Sequence, residues 1–253
     1  MRTFGLLGYP LGHSFSKSYF ELKFSQLKLM QHEFKLFEWE RINDFFSAIQ
    51  REKFLVGFSV TSPHKESVIT LLDDIDPMAK EIGAVNCVKV NYTNGRMYLT
   101  GFNTDAYGFR QTIKPFLEPQ HQRALVIGTG GAAKAVAFAL KSIGVDVFFL
   151  TRDKSRFPDT GNYFDFNDVS NELVSHFKLI VNTSPAEMLL GSNLPPELPY
   201  EAIGPSHFCY DLIYQPYETS FLRNCKLQGA IIMNGLDMLY AQAEKAWEIW
   251  NTQ

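Results

Sequence analysis

Gly128-Thr129-Gly130-Gly131-Ala132-Ala133 stands between a five-residue apolar run, Arg123-Ala124-Leu125-Val126-Ile127, and an alanine-rich stretch that ends near Gly144. Strand, glycine turn and helix in that order read as a dinucleotide-binding turn. The backbone must turn sharply out of the strand and let a pyrophosphate approach the helix N-terminus, where unpaired N–H groups and the helix dipole favour negative charge. Ala133 takes the place of the third glycine. A glycine fingerprint alone is a weak signal, and the flanking strand and helix supply the context it needs. The competing reading is a tight strand-to-helix turn that holds no ligand.

Around this turn lie 253 residues, enough for one large or two modest domains, with 45% hydrophobic residues and a net charge of −3. That balance supports neither a basic nucleic-acid footprint nor a polybasic membrane patch, so a small molecule is the expected partner. Met1 to Leu7 is too short and too quickly interrupted to read as a signal peptide. No apolar stretch approaches the ~20 residues of a membrane helix. Cys87, Cys209 and Cys225 are too few and too scattered for a disulfide framework or a zinc site, so no metal is expected and a reducing, cytoplasmic setting is.

Before the turn, strand candidates near 3–8, 33–38, 54–60 and 84–90 alternate with helix candidates at 16–29, 42–52 and 64–72. Asn94-Gly95 marks a hairpin joining residues 85–90 to 97–100. A helix over 106–117, near which a domain boundary is expected, leads to the polar stretch 118–123. After it, strands near 123–127, 146–151, 178–182, 208–213 and 230–233 repeat the alternation, the doubly wound pattern that follows a glycine turn. The expected fold class is α/β: an N-terminal α/β domain with a mainly parallel sheet, residues 1–105, and a doubly wound Rossmann-type nucleotide-binding domain, residues 106–236. The last segment, 237–253, reads as an amphipathic helix whose stripe of Leu236, Leu239, Tyr240, Ala243, Trp247 and Trp250 belongs to a core.

Three segments of the first half place polar residues where strands end, the edge at which open α/β sheets bind ligands. In Gly8-Tyr9-Pro10-Leu11-Gly12-His13-Ser14-Phe15-Ser16, two hydroxyls could donate to a carboxylate, or Ser16 could simply cap the next helix. In Val60-Thr61-Ser62-Pro63-His64-Lys65, Pro63 can open a helix with Lys65 in its first turn, a position at odds with the helix dipole. Such local conflicts concentrate at functional sites. His64 is a rival for the same chemistry, or a packing histidine. In Gly101-Phe102-Asn103-Thr104-Asp105, with Gly83-Ala84-Val85-Asn86 before it, Asp105 could cap the following helix. Facing Lys65 instead, it would complete a lysine and carboxylate dyad suited to moving one proton at a carbonyl.

These stretches, with Tyr210-Asp211-Leu212-Ile213-Tyr214 and Gly235 to Ala243, together resemble the shikimate dehydrogenase family over nearly the whole chain. The resemblance implies reversible NADPH-dependent reduction of 3-dehydroshikimate to shikimate, on the route to aromatic amino acids. It implies that Ser14 and Ser16 hold the substrate carboxylate, and that Thr61, Asn86, Asp105, Tyr214 and Gln242 bind its hydroxyls and carbonyl. Lys65 would be the acid and base, with Asp105 orienting it. Gly128, Thr129, Gly130, Gly131 and Ala132 would hold the dinucleotide, with Leu212 and Gly235 lining the nicotinamide pocket and the last helix returning to the first domain. A monomer or a homodimer is compatible with this.

Three positions depart from the family pattern: Ser59 where asparagine is usual, Lys17 where proline is common, and Glu187 where glycine is usual. Cofactor choice is read at the end of the second strand of the nucleotide domain, ~20 residues past the glycine turn. There the chain reads Val147-Phe148-Phe149-Leu150-Thr151-Arg152, reaching an arginine rather than an acid. A guanidinium suits the 2′-phosphate, so NADP is expected, with Lys154 and Arg156 adding positive charge and Asp153 opposing it. The alternatives are an NAD-using quinate/shikimate dehydrogenase and a nucleotide-binding regulator without catalysis. The joint presence of Lys65, Asp105, Asn86 and Gln242 argues against the regulator, which needs no proton-transfer pair.

Overall fold

In a computed structural model, described for residues 1–12, 14–184 and 197–252, the chain divides into two compact units. One comprises Met1–Thr104 and the residues from Gln242 onward, the other Asp105–Ala241. The first unit holds β1 (Arg2–Gly8), α1 (Phe15–Gln26), β2 (His32–Glu38), α2 (Ile42–Ile49), β3 (Leu55–Val60), β4 (Asp74–Ile75), α3 (Pro77–Ile82), β5 (Cys87–Thr93) and β6 (Arg96–Phe102). Its sheet runs β2-β1-β3-β5-β6-β4, with only β5 opposed to the rest.

β1 is buried from Thr3 to Gly8, and apolar from Phe4 on, because both of its faces are covered, as in buried parallel strands. Phe4 and Leu6 pack with Phe20, Phe24, Phe34 and Trp250 on one face, while Leu7 packs with Phe45, Phe58 and Val60 on the other. A register shift between β1 and β3, after the Thr3–Leu55 pair, keeps both faces in phase by leaving Val56 over. Asn94 and Gly95 both have positive φ, 52° and 78°, and close the expected two-residue hairpin between β5 and β6.

In the second unit are α4 (Asp105–Ile113), β7 (Arg123–Ile127), α5 (Gly131–Lys141), β8 (Asp146–Thr151), β9 (Tyr163–Asp165), α6 (Asn171–His176), β10 (Leu179–Asn182), β11 (Phe208–Asp211), α7 (Ser220–Leu227) and β12 (Ile231–Met233). The sheet is wholly parallel, in the order β12-β11-β10-β7-β8-β9, which is the doubly wound order 6-5-4-1-2-3 within this unit. The last helix, α8 (Leu236–Asn251), begins in this unit and continues from Gln242 as part of the first.

Four local expectations need correction. No α-helix opens at Pro63. The Ser62–Pro63 bond is cis, His64 N–H closes a turn onto the Thr61 carbonyl (3.0 Å), and a short 3₁₀ helix begins only at Ser67. The carbonyl of Lys65 accepts from Val85 N–H (2.7 Å), so a tertiary partner takes the group a helix would have used, and Lys65 does not sit in a helical first turn. The cap of α1 is Ser14, not Ser16. Asp105 is the first residue inside α4 rather than its cap, where a negative charge suits the dipole. The buried face of α8 follows Met238, Gln242, Ala243, Ala246 and Trp250, and Tyr240 of the expected stripe is 42% exposed. Trp250 sets that face. Its indole N–H donates to the Val88 carbonyl (3.0 Å), and it lies where a side chain on Gly57 would fall.

Candidate active site

Strand register gathers the polar segments of the first unit at one edge of its sheet. Leu7 pairs with Val60 and Gly8 with Glu38, so β1, β2 and β3 end together. Cys87 pairs with both Ser59 and Phe102, so β5 starts and β6 ends at that same edge. Residues 9–12 and 14, 61–66, 83–86 and 103–104 therefore follow or precede strands along one rim, the rim at which such sheets bind ligands. Backbone bonds fasten it: Thr61 N–H to the Leu7 carbonyl (2.8 Å), Tyr9 N–H to the Ser62 carbonyl (3.1 Å) and Val60 N–H to the Asn86 carbonyl (2.7 Å).

Asn86, Thr104 and Gln242 meet there, buried to 3%, 0% and 8% exposure. Asn86 Oδ1 accepts from Thr104 N–H (2.6 Å), and Asn86 Nδ2 donates to Thr104 Oγ1 (3.0 Å). The single hydroxyl proton of Thr104 lies between Asn86 Oδ1 (3.3 Å) and Gln242 Oε1 (3.4 Å). Three amide and hydroxyl side chains from 18 and 138 residues apart thus hold one another in fixed orientation. The sequence reading assigns Thr104 no role. Its only signal there is its place between Asn103 and Asp105, and Asn103 in turn donates to the Ala84 carbonyl (2.9 Å).

Lys65 is half-buried at this rim, its backbone tied to Val85. Thr61 is likewise half-buried, at the end of β3. His64 is turned inward, 3% exposed, with Nε2 donating to the Trp39 carbonyl (2.6 Å) and Nδ1 beside the Ser67 hydroxyl (3.5 Å). That arrangement makes it a packing histidine. Ser14 Oγ accepts from Lys17 N–H (3.3 Å) as the cap of α1, which uses an acceptor lone pair and leaves the chemistry of the O–H intact as a donor. Ser16 is the second residue of the same helix, within its first turn, half-buried. Two hydroxyls at the N-terminus of a 12-residue helix form a setting suited to a carboxylate. His13, quoted with this loop, and Pro185 to Glu187 lie outside the described residues.

In the second unit the glycine turn follows β7 at the switch point, where the sheet order reverses between β7 and β10. Gly128 has φ +107°, its N–H donates to the Leu150 carbonyl (2.9 Å), and a Cβ there would come within 2.8 Å of Thr183 Oγ1. Gly130 caps α5 with no side-chain acceptor, and a Cβ on it would meet nothing within 4 Å. Open space in front of uncapped helical N–H groups fits a pyrophosphate. Thr129, Gly131 and Ala132 are half-buried along the same turn, and Ala133 is packed at 1% exposure.

At the end of β8, Thr151 is half-buried and Arg152 exposed, and among the described residues the Arg152 guanidinium makes no ion pair. Asp153 is turned back on its own loop: its carboxylate accepts from Ser155 N–H (3.1 Å) and the Ser155 hydroxyl (2.6 Å). Lys154 is held by Asp168 (2.7 Å), a hydrogen bond that raises the pKa of the lysine and lowers that of the aspartate. The loop therefore spends the acid on a cap and Lys154 on Asp168, and it presents Arg152. Leu212 and Gly235 are brought together so closely that a Cβ on Gly235 would fall on the Leu212 carbonyl. Tyr214, two residues on, is half-buried, and burial raises its pKa, keeping the phenol neutral.

Residues 6–88 match the family of the shikimate dehydrogenase substrate binding domain. A shikimate dehydrogenase (NADP(+)) of Bacillus mycoides (strain KBAB4) is 34% identical over 98% of this chain and 92% of its own. The crystal structure of shikimate dehydrogenase from Aquifex aeolicus superposes with a TM-score of 0.84 at 32% identity, over 99% of this chain and 92% of that one. The Thermus thermophilus shikimate 5-dehydrogenase, solved in complex with NADP(H) and shikimate, superposes with a TM-score of 0.82 at 32% identity, over 99% and 94% of the two chains. With 34% identity along nearly its full length and a matching fold, the chain belongs to the shikimate dehydrogenase family.

Proposed function

We propose that the chain catalyses the reversible, NADP(H)-linked interconversion of 3-dehydroshikimate and shikimate. The observation that carries this is the buried Asn86–Thr104–Gln242 cluster beside Lys65 on the rim of the first sheet, in a chain 34% identical to NADP-dependent relatives. Amide groups fixed in this way present donors and acceptors of set direction to a polyhydroxylated ring. A site built to hydrogen-bond hydroxyls rejects analogues that lack them, because its buried polar groups are then left unpaired.

Bound at the glycine turn, NADP(H) supplies the hydride exchanged at the carbonyl carbon. Reduction leaves an alkoxide oxygen, and the Lys65 ammonium donates a proton to it; in the reverse direction the amine takes that proton from the hydroxyl. Asp105, next in the chain after Thr104, has the task of orienting that ammonium. Ser14 and Ser16 hold the carboxylate, and Thr61, Asn86, Tyr214 and Gln242 hold the ring oxygens. Gly128 to Ala132 cradle the pyrophosphate, Leu212 and Gly235 flank the nicotinamide, and Arg152 takes the 2′-phosphate, while Lys154 stays paired with Asp168 beside it. Cys87, Cys209 and Cys225 are buried unlinked thiols, which suits a reducing compartment, and we place the enzyme in the cytoplasm.

The decisive experiment mixes the protein with shikimate or quinate and either NADP⁺ or NAD⁺ and follows the absorbance of reduced nicotinamide. Turnover with NADP⁺ is expected. Turnover with NAD⁺ and quinate instead would assign a catabolic dehydrogenase, and binding without turnover would assign a regulator.

A further inference from the structure

We infer that Asp211 is a positioning residue that fixes the nicotinamide side of the cofactor site, an inference that rests on the dinucleotide-dependent reading above. Its carboxylate is 0% exposed, at the end of β11. It accepts hydrogen bonds from Asn182 Nδ2 (3.1 Å), the Ile213 N–H (3.0 Å) and the Thr219 hydroxyl (2.7 Å). Each donor belongs to a different segment. Asn182 ends β10, its backbone carbonyl accepts from Leu212 N–H (3.0 Å), and its Oδ1 accepts from Ser184 N–H (3.1 Å). Thr219 caps α7 by accepting from Leu222 N–H (3.2 Å), so both hydrogen-bonding capacities of its hydroxyl are used. Ile213 passes the constraint on, because its carbonyl accepts from Gly235 N–H (3.2 Å).

Leu212 is therefore held from both sides, through its own N–H by β10 and through the next residue by Asp211. Gly235 is held against it with no room for a side chain. A carboxylate is expensive to bury unless donors converge on it. Here three do, and what they fix together is the strand end, the helix cap and the backbone of the Leu212–Gly235 wall. An apolar residue at position 211 could fill the core but could not gather these three donors.

The test uses Asp211→Asn, which keeps the shape but turns an amide N–H₂ toward a cluster of donors. Affinities for NADP⁺ and for adenosine 2′,5′-bisphosphate, the phosphorylated adenosine half of NADP, are measured by calorimetry alongside the melting temperature. NADP⁺ should bind about tenfold more weakly, the scale of one lost charge-assisted bond, while the adenosine fragment binds as before. A role confined to general stability would lower the melting temperature and move both ligands together or neither, and either result overturns the inference. The ratio is a binding measurement, so a wild-type protein that fails to oxidise shikimate would refute the substrate assignment alone and leave Asp211 to be decided by the ratio. If Asp211→Asn does not fold, Thr219→Val removes one donor and Thr219→Ser restores it. The ratio should fall in the first and return in the second, and a wild-type ratio in Thr219→Val overturns the inference.

Discussion

Replacing Lys65 by alanine separates the acid–base reading from its rival at His64. The backbone of Lys65 is tied through its carbonyl to Val85 N–H, so truncating the side chain removes the ammonium without loosening the turn. A positioned acid or base contributes roughly 10² to 10⁴ in rate. At 1.36 kcal/mol per factor of ten, that is about 2.7 to 5.4 kcal/mol of transition-state stabilisation. Because the proton moves only as the carbonyl is reduced or the alcohol oxidised, the loss should fall on kcat, with KM for shikimate much less changed. His64→Ala should do the reverse. Its imidazole is committed to the Trp39 carbonyl at 2.6 Å and is 3% exposed. Losing that bond should cost about 1 to 3 kcal/mol of folding stability and leave kcat near the wild-type value. Steady-state initial rates with shikimate and NADP⁺, paired with urea unfolding of each variant, read both quantities. Near-wild-type turnover in Lys65→Ala, or an equal loss of kcat in His64→Ala, would refute the assignment.

Arg152→Ala should raise KM for NADP⁺ about tenfold or more, the value of one charge-assisted contact, and hardly alter KM for NAD⁺; a wild-type enzyme that prefers NAD⁺ would overturn that reading. Ser14→Ala should lose both its cap, about 1 kcal/mol of stability, and about tenfold in kcat/KM for shikimate, whereas the methyl ester, lacking the charge, should respond far less. An equal loss for acid and ester would mean that Ser14 only shapes the loop. His121 and His207 each accept a backbone N–H through Nδ1, from Glu118 (2.9 Å) and Gly204 (3.0 Å), and burial lowers the pKa of both. A histidine with a lowered folded pKa favours the folded state fully above its unfolded value of ~6.5 and loses that contribution as pH falls through the folded value. Urea midpoints should therefore drop between pH 7.5 and 5, and His207→Asn, which offers an acceptor that does not titrate, should flatten the drop; an unchanged slope would dismiss the pair as its cause.

What was legible in the sequence is what neighbours dictate to one another. The turn at Gly128 between β7 and α5 and the Asn94-Gly95 hairpin are each settled within a few residues, and each stands in the structure as read. The misreadings arise where a distant partner overrides the local pattern. Lys65 would sit in a helix if Val85, 20 positions on, did not take its carbonyl. Tyr240 fits the apolar stripe of α8 by period, yet the buried face is decided by where Trp250 meets Gly57. The cluster of Asn86, Thr104 and Gln242 joins positions up to 138 apart, and no spacing rule connects them. The strand expected to run to residue 213 shows the same competition at single-bond resolution. Leu212 still donates to β10, but the next N–H, that of Ile213, turns to the carboxylate of Asp211 instead of continuing the ladder. β11 stops at Asp211 because a side chain has replaced a strand as the acceptor. That substitution frees the backbone after it to bend toward Gly235, whose N–H donates to the Ile213 carbonyl, so the residue that ends the strand also sets the course of the chain beyond it.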